Sequence, residues 1–256
     1  MGYETIRTLE TFLQTFIVMH AVFTFLALAF TTGHALTAWP KPQQQTASTV
    51  QYTVDPSSFT FNGKGAGAQS SVLLDAFKRF RGIIFLHTPV DAAAFAASTI
   101  TGVDVNVASN DETLSLETDQ SYNLTVVAPT ITIHANTVYG ALYGLETLSQ
   151  LVDRGTFVNG TTIVDFPRYQ FRATMIDTSR HYYPKEVILQ HLDAMSYSKF
   201  NVLHWHIVDA ISFPYQSTMF PEMSRQGAYS PDHVYTADDV KDIVAYAKNR
   251  GIRVIP

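Results

Sequence analysis

The chain has 256 residues, of which 46% are apolar and 15% charged, so it can bury a sizeable core and is not disordered throughout. Its net charge is −5 and its single dense basic run is KRFR at 78–81, so the sequence lacks the basic patch that nucleic-acid binding requires. It contains no cysteine, which excludes disulfides, thiolate nucleophiles and cysteine-bound metals.

The first 35 residues have the composition of a targeting segment. From Thr11 to Pro40 no side chain carries a formal charge, and the small residues that end at Ala35 suit a signal-peptide cleavage site. The pattern predicts a cleaved signal peptide over residues 1–35. Its apolar run is close to the length of a membrane span, so an uncleaved signal anchor through residues 12–30 is the alternative, and only that form would hold the protein in a membrane.

Two sequons agree with delivery to the secretory pathway. The tripeptides NLT at Asn123 and NGT at Asn159 are acceptor sequences for N-glycosylation in a secreted chain. The sequence therefore predicts a secreted or lumenal protein that carries N-linked glycans.

Residues 36–165 mix strand and helix patterns without regular alternation, which predicts a small α+β domain. Short β-type runs bounded by turn residues occur at 50–54, 59–61, 103–109, 122–128 and 130–135. Apolar residues at helical spacing predict helices in SVLLDAFKRFRGIIF and in VYGALYGLETLSQLV. The two glycines of GALYG within the second helix predict its close packing on a sheet.

Residues 166–256 follow a strand, helix, strand, helix, strand pattern, which is typical of a parallel α/β array. The segments are FRATMID, PKEVILQHLDAMSYSKF, NVLHWHIV, TADDVKDIVAYAKNRG and IRVIP. No Gly-rich phosphate loop follows the first strand, which argues against a nucleotide fold and favours a (β/α)8 barrel. A full TIM barrel takes about 250 residues. The sequence therefore predicts an α/β fold with only the first three strands of such a barrel.

Functional side chains of a barrel lie at the C-terminal ends of its strands. The strand ends of this chain give two clusters, one with Asp177, Arg180 and His181 in DTSRH, the other with His204, His206 and Asp209 in HWHIVD. These six residues are the candidate site.

Arg180 is the most informative of them. Its guanidinium is a rigid fork of donors that suits vicinal hydroxyls or a carboxylate of a ligand. The alternative is a structural salt bridge to Asp177 that holds the loop. Asp209 lies where a substrate loop is expected, and its alternative role is that of a helix N-cap.

His204 and His206 fall on the same face of their predicted strand because side chains alternate along a strand. Such a pair suits zinc in metal-dependent barrel hydrolases, but the further ligands of such a site are not evident. The alternative is a pair of buried histidines, hydrogen-bonded within the barrel wall. Trp205 is expected to pack on the opposite face. No metal and no cofactor are predicted.

Five segments together resemble the β-N-acetylhexosaminidases of glycoside hydrolase family 20. They are GALYGLETLSQL, DTSRHYYP, KFNVLHWHIVD, SFPYQSTMFPEMSRQGAYSPDHVYTADDV and YAKNRGIRVIP. The resemblance implies an α+β domain before a (β/α)8 barrel. It also implies hydrolysis, with retention, of terminal N-acetylglucosamine or N-acetylgalactosamine from glycans, the substrate's own acetamido oxygen acting as nucleophile. Members are often homodimers, and the lysosome and the extracellular space are the expected destinations.

The resemblance also implies roles for individual residues. Arg180 matches the arginine that binds the terminal sugar's hydroxyls, Asp209 matches an aspartate of the active-site hydrogen-bond network, and His206 matches a supporting histidine. Asp177, His181 and His204 are expected to support them. Ala210 departs from the family, which usually has a second acidic residue there.

The family's catalytic Asp-Glu pair is expected beyond Pro256, so the chain alone is expected to be inactive. The alternative is a non-catalytic, secreted glycan-binding or interaction protein derived from the same family.

Overall fold

The computed structural model describes residues 38–86 and 99–256. All of them belong to one compact unit, Thr37–Pro256. The predicted signal segment, residues 1–35, lies outside the described residues. Across the two described ranges, no helix has both the length and the apolar character needed to cross a membrane.

Seven strands form a mixed sheet in the order β2-β4-β6-β5-β7-β1-β3. They are β1 (Gln44–Val54), β2 (Thr60–Lys64), β3 (Thr99–Ile100), β4 (Gly102–Val107), β5 (Tyr122–Val126), β6 (Thr130–Ala135) and β7 (Phe157–Asp165). Side chains alternate between the two faces: in β4, Val103, Val105 and Val107 are buried, whereas Asp104 and Asn106 are not. One face is therefore apolar and the other polar.

Two helices, α1 (Ser71–Ile84) and α2 (Val138–Leu151), cover the apolar face. Ser70 caps α1 and Thr137 caps α2, each accepting a hydrogen bond from a backbone N–H of the first turn. The predicted close packing of α2 is confirmed at Gly144, where an added Cβ would lie 2.7 Å from Ile133 Cγ2. The opposite face of the sheet, which we call the outer face, carries Asn123, Thr125, Thr132, His134 and Thr162.

A second sheet consists of three parallel strands in the order β10-β9-β8. Its strands are β8 (Ala173–Asp177), β9 (Val202–His206) and β10 (Arg253–Ile255), and its helices are α3 (Lys185–Tyr197), α4 (Pro221–Gly227) and α5 (Ala237–Lys248). Trp205 packs among these helices with 2% of its surface exposed, as predicted. The expected fold class, a mixed α/β fold with this arrangement of elements, is confirmed.

The structure corrects three parts of the sequence prediction. β7 was not predicted, because the Asn-Gly pair within it is typical of a turn, and its strand conformation depends on pairing with β5 and β1. β1 begins six residues earlier than predicted, in the polar lead-in. The loop expected after Asp209 contains α4, which has proline at its first turn.

The junction between the two sheets is held by a buried polar cluster around Lys199. The ammonium of Lys199 donates to Asp165 Oδ2 at 3.2 Å, Tyr122 Oη at 2.9 Å and Thr147 Oγ1 at 2.8 Å. These three bonds use all three hydrogens of the ammonium. Its backbone carbonyl accepts from Tyr143 Oη at 3.2 Å. Lys199 lies between α3 and β9, so this one residue ties the second sheet to the first.

Glu146 lies on α2 near the same junction and is 5% exposed. Burial raises the pKa of Glu146 to about 7, although a hydrogen bond from Gln150 and the positive charges of Lys199 and Arg79 oppose that rise. The carboxyl therefore titrates near neutral pH in the folded chain.

Exchange of Glu146 for glutamine is expected to remove part of the pH dependence of folding. A carboxyl with a raised pKa in the folded chain contributes stability that is complete below about pH 4.5 and is lost as the pH rises through about 7. The loss in the parent chain amounts to roughly 2–4 kcal/mol. Urea unfolding should show equal stability of parent and Glu146→Gln in acid and a more stable variant above neutral pH. A constant difference across this range would contradict the assignment.

Candidate active site

The candidate site lies where β8 and β9 end. The two strands are parallel and paired in register, so that Asp177 lies beside His206. The backbone N–H of Thr178 donates to the carbonyl of His206 at 3.0 Å and extends the ladder by one bond. Because the strands end at the same level, the loops that follow them place Arg180 and Asp209 together.

Arg180 is at the centre of this cluster. Its Nη2 lies 2.7 Å from Asp209 Oδ2, and its Nη1 lies 3.1 Å from Asp177 Oδ2 and 2.9 Å from His206 Nε2. The structural alternative raised for Arg180, an ion pair with Asp177, is therefore present, but it is only one of three contacts. The arginine side chain remains 53% exposed.

Part of the guanidinium fork is available to a ligand. Arginine has five N–H donors. Among the described residues, the contacts of Arg180 engage Nη1 and Nη2, and none engages Nε. The Nε–H and the second Nη2–H are thus left for a ligand, and two donors on one planar group match two neighbouring acceptor oxygens.

The charge of the cluster decides which ligand suits this fork. Two carboxylates already surround the single guanidinium, so a third carboxylate from a ligand would be repelled. Neutral hydroxyls can accept from Arg180 and donate to Asp177 Oδ2 or Asp209 Oδ1, each of which accepts only one hydrogen bond and has a second lone pair. Of the two ligand groups considered from the sequence, vicinal hydroxyls fit and a carboxylate does not.

Both carboxyls stay ionised in mild acid. The N–H of Ala210, a hydrogen bond from His206 and the charge of Arg180 lower the pKa of Asp209. The backbone N–H of Arg180 is the largest cause of the lowered pKa of Asp177, followed by its side chain. Since both pKa values lie below the ordinary aspartate range, the ion pairs persist as the pH falls towards that range.

His206 links Arg180 and Asp209 whichever way its proton is placed. Its Nε2 lies 2.9 Å from Arg180 Nη1, which only donates, and 3.0 Å from Asp209 Oδ2, which only accepts. Without a proton Nε2 accepts from Arg180, and with one it donates to Asp209. The half-buried histidine therefore supports the pair in either state.

Three contacts hold the loops that carry Arg180 and Asp209. Trp205 Nε1 donates to Thr178 Oγ1 at 2.8 Å, Ser179 Oγ donates to the carbonyl of Ser212 at 3.0 Å, and Tyr229 Oη donates to the carbonyl of Arg180 at 2.9 Å. Sequence reasoning missed Ser179, Ser212 and Tyr229. Nothing in the local pattern marks Tyr229, which is 49 residues from its partner.

The other predicted residues lie outside the cluster. His181 packs edge-on against Tyr183, with 4.8 Å between ring centroids, and its ring forms no hydrogen bond with Arg180. His204 shares a strand face with His206, with ring centroids 6.2 Å apart. In the described residues His204 is exposed, and His206 is half-buried and hydrogen-bonded to Arg180 and Asp209. Asp209 is not a helix N-cap, because the next helix begins at Pro221.

The donor set does not suit zinc. In the two described ranges, no three His, Cys, Asp or Glu side chains are grouped so as to hold a metal ion. The Nε2 atom of His206, one of its two possible metal ligands, lies beside the guanidinium of Arg180, and that positive charge would repel a cation.

Two family models match consecutive parts of the chain. One, described as beta-acetyl hexosaminidase like, matches residues 38–151, and the other, the catalytic domain of glycosyl hydrolase family 20, matches residues 169–256. Together they cover every described strand except β7, which lies between the two matches.

Curated relatives and a solved structure agree with these matches. The chain is 43% identical over 247 residues to beta-hexosaminidase subunit alpha of Bos taurus and 44% identical over 231 residues to beta-hexosaminidase subunit beta of Homo sapiens. These alignments cover 91% and 85% of this chain but only 47% and 42% of the relatives, so the chain spans less than half of their length. The X-ray structure of Flavobacterium johnsoniae chitobiase aligns with a TM-score of 0.75 and 33% identity, over 86% of this chain and 34% of that one.

Proposed function

The chain belongs to glycosyl hydrolase family 20, and on this premise we propose that the protein hydrolyses terminal, non-reducing N-acetylhexosamine residues of glycans. In this proposal the described residues supply the part of the active site that binds the terminal sugar. The acid-base Glu and the Asp that orients the substrate's acetamido group are not assigned to any of the described residues.

The observation that carries the proposal is the partly free guanidinium fork of Arg180. Asp177, Asp209 and His206 fix its position, and two of its donors remain for neighbouring sugar hydroxyls. Pre-organised donors lose little entropy on binding, so they can hold one sugar ring in one orientation.

In the proposed reaction the substrate's own acetamido oxygen attacks the anomeric carbon as the glycosidic C–O bond breaks and the acid-base Glu protonates the leaving oxygen, and water then opens the cyclic intermediate, so no enzyme carboxylate needs to act as nucleophile. Arg180 binds a part of the ring that does not react. Its contribution is to align the ring so that the acetamido group reaches the reacting carbon, which converts binding energy into rate.

The protein is proposed to act in the secretory pathway, in the extracellular space or the lysosome. The predicted signal segment and the two sequons support this route.

A direct test is to purify the native protein from its source with an antibody against residues 38–256 and to assay it with a chromogenic N-acetyl-β-glucosaminide. Turnover with retention is the expected result. Binding of N-acetylglucosamine without turnover would overturn the hydrolase and favour the non-catalytic glycan-binding protein. Sequencing the transcript past codon 256 shows in parallel whether an Asp-Glu pair follows.

A further inference from the structure

The outer face of the seven-stranded sheet carries a cavity with no role in the proposed reaction. The cavity has a volume of about 420 Å³, within the range of small-ligand pockets. Its walls include Asn106, Asn123, His134, Asn136, Val164 and Phe166. Helices α1 and α2 lie on the other face of this sheet, so the cavity opens away from them.

Asn123, the acceptor of a predicted sequon, is itself part of the wall. It lies on the central strand β5, opposite His134 of β6 on one side and Val164 of β7 on the other. The next residue, Leu124, is fully buried on the inner face, so the Asn123 side chain projects outward from the sheet. Anything attached to its amide nitrogen begins inside this cavity.

The lining suits a neutral sugar. The amides of Asn106 and Asn136 and the His134 ring offer donors and acceptors for hydroxyl and acetamido groups, while Val164 and Phe166, 37% and 49% exposed, offer apolar surface for a ring face. The one formal charge in the lining is Asp165, which is buried and paired with Lys199. A charged ligand would find no partner there.

The two sequons differ in their surroundings. At Asn159 the side-chain oxygen accepts from Gln51 Nε2 at 3.4 Å, and the sequon hydroxyl of Thr161 is buried and donates to the carbonyl of Thr46 at 2.8 Å. At Asn123, in the described part of the chain, neither the amide nor the neighbouring His134 ring has a hydrogen-bond partner. Asn123 is therefore the sequon with unused polar groups around it.

We propose that this cavity binds the innermost N-acetylglucosamine of a glycan attached to Asn123, and that the glycan covers the outer face of the sheet. A sugar already linked to Asn123 is present at a high effective concentration, so weak contacts with His134 and Phe166 are enough to hold it. The inference rests on the proposed secretory route but not on the proposed hydrolase activity.

The test is expression of the whole chain in eukaryotic cells, followed by glycopeptide mass spectrometry and by enzymatic deglycosylation of the native protein. We expect a glycan at Asn123. The enzyme should release this glycan about tenfold more slowly from the native chain than from the denatured chain, because a few weak contacts with the cavity stabilise the bound sugar by that factor. His134→Ala should speed native release at Asn123. Thr132→Ala, on the same strand face but outside the cavity, should not.

Each other outcome overturns the proposal in a recognisable way. Equal release from native and denatured chains would show that the glycan does not rest in the cavity. Sugar at Asn159 but none at Asn123 would remove the occupant while leaving the secretory route intact. A chain without sugar at either site would overturn the secretory route as well. None of these results depends on hydrolysis of a substrate.

Discussion

Replacement of Lys199 by methionine is expected to lower the free energy of unfolding by about 3–5 kcal/mol, because it leaves a buried carboxylate without its counter-ion. Lys199 is 5% exposed, and its ammonium is the cation paired with Asp165, which is itself 8% exposed. Methionine fills a similar volume but offers no hydrogen to Asp165, Tyr122 or Thr147. Urea or thermal unfolding followed by circular dichroism measures the loss.

Two further variants separate this explanation from a simple packing effect. Lys199→Met combined with Asp165→Asn should recover part of the lost stability, because the second change removes the unpaired charge. Lys185→Met is the control: Lys185 pairs with two aspartates, at 2.9 and 3.2 Å, but near the surface, where water screens the charges. If the control destabilised the chain as much as Lys199→Met, burial of the ion pair would not be the cause.

If the proposed hydrolysis is correct, replacement of Arg180 by alanine in the native protein is expected to reduce kcat/KM for an N-acetylglucosaminide by about 10²- to 10⁴-fold, the effect of losing one to two hydrogen bonds from a charged donor. The same change deprives Asp177 and Asp209 of the cation they share. Arg180→Lys should recover little, since an ammonium cannot reproduce a planar fork.

The Arg180 result needs a control for folding and for nonspecific effects. Arg225→Ala removes an exposed arginine of α4 that is paired with Glu222 and should leave kcat/KM unchanged. Thermal midpoints of all variants show whether lost activity reflects unfolding. Activity of Arg180→Ala within a few-fold of the parent would contradict the proposed sugar-binding role.

Much of this architecture was predictable because local patterns and tertiary packing agree. A capping box formed by Thr236 and Asp239 begins α5, with both reciprocal hydrogen bonds present, and such a cap depends only on residues within one turn. The alternation of valines in β4 and the glycine spacing of α2 likewise corresponded to buried faces. The family resemblance, carried by long ordered segments, is confirmed by both family models.

Contacts between distant parts of the chain were not predictable in the same way. The strand β7 contains a turn-like Asn-Gly pair, and it is a strand because β5 and β1 supply its hydrogen bonds from either side. Lys199 would be expected on the surface from its residue type, and it is buried because Asp165 and Tyr122, from the other sheet, satisfy its charge.

The candidate site shows the same division. The sequence by itself determined which side chains lie at the strand ends. Strands are recognised from the local alternation of side chains, and functional residues of barrels generally lie at the C-terminal ends of the strands. Only the tertiary structure decided that Arg180, Asp177, Asp209 and His206 form one cluster, that His181 and His204 stay outside it, and that Tyr229 supports it. The Asp177–Arg180 and His206–Asp209 contacts each join residues three apart, but parallel register and loop packing bring the two pairs together, and these depend on residues far apart along the chain.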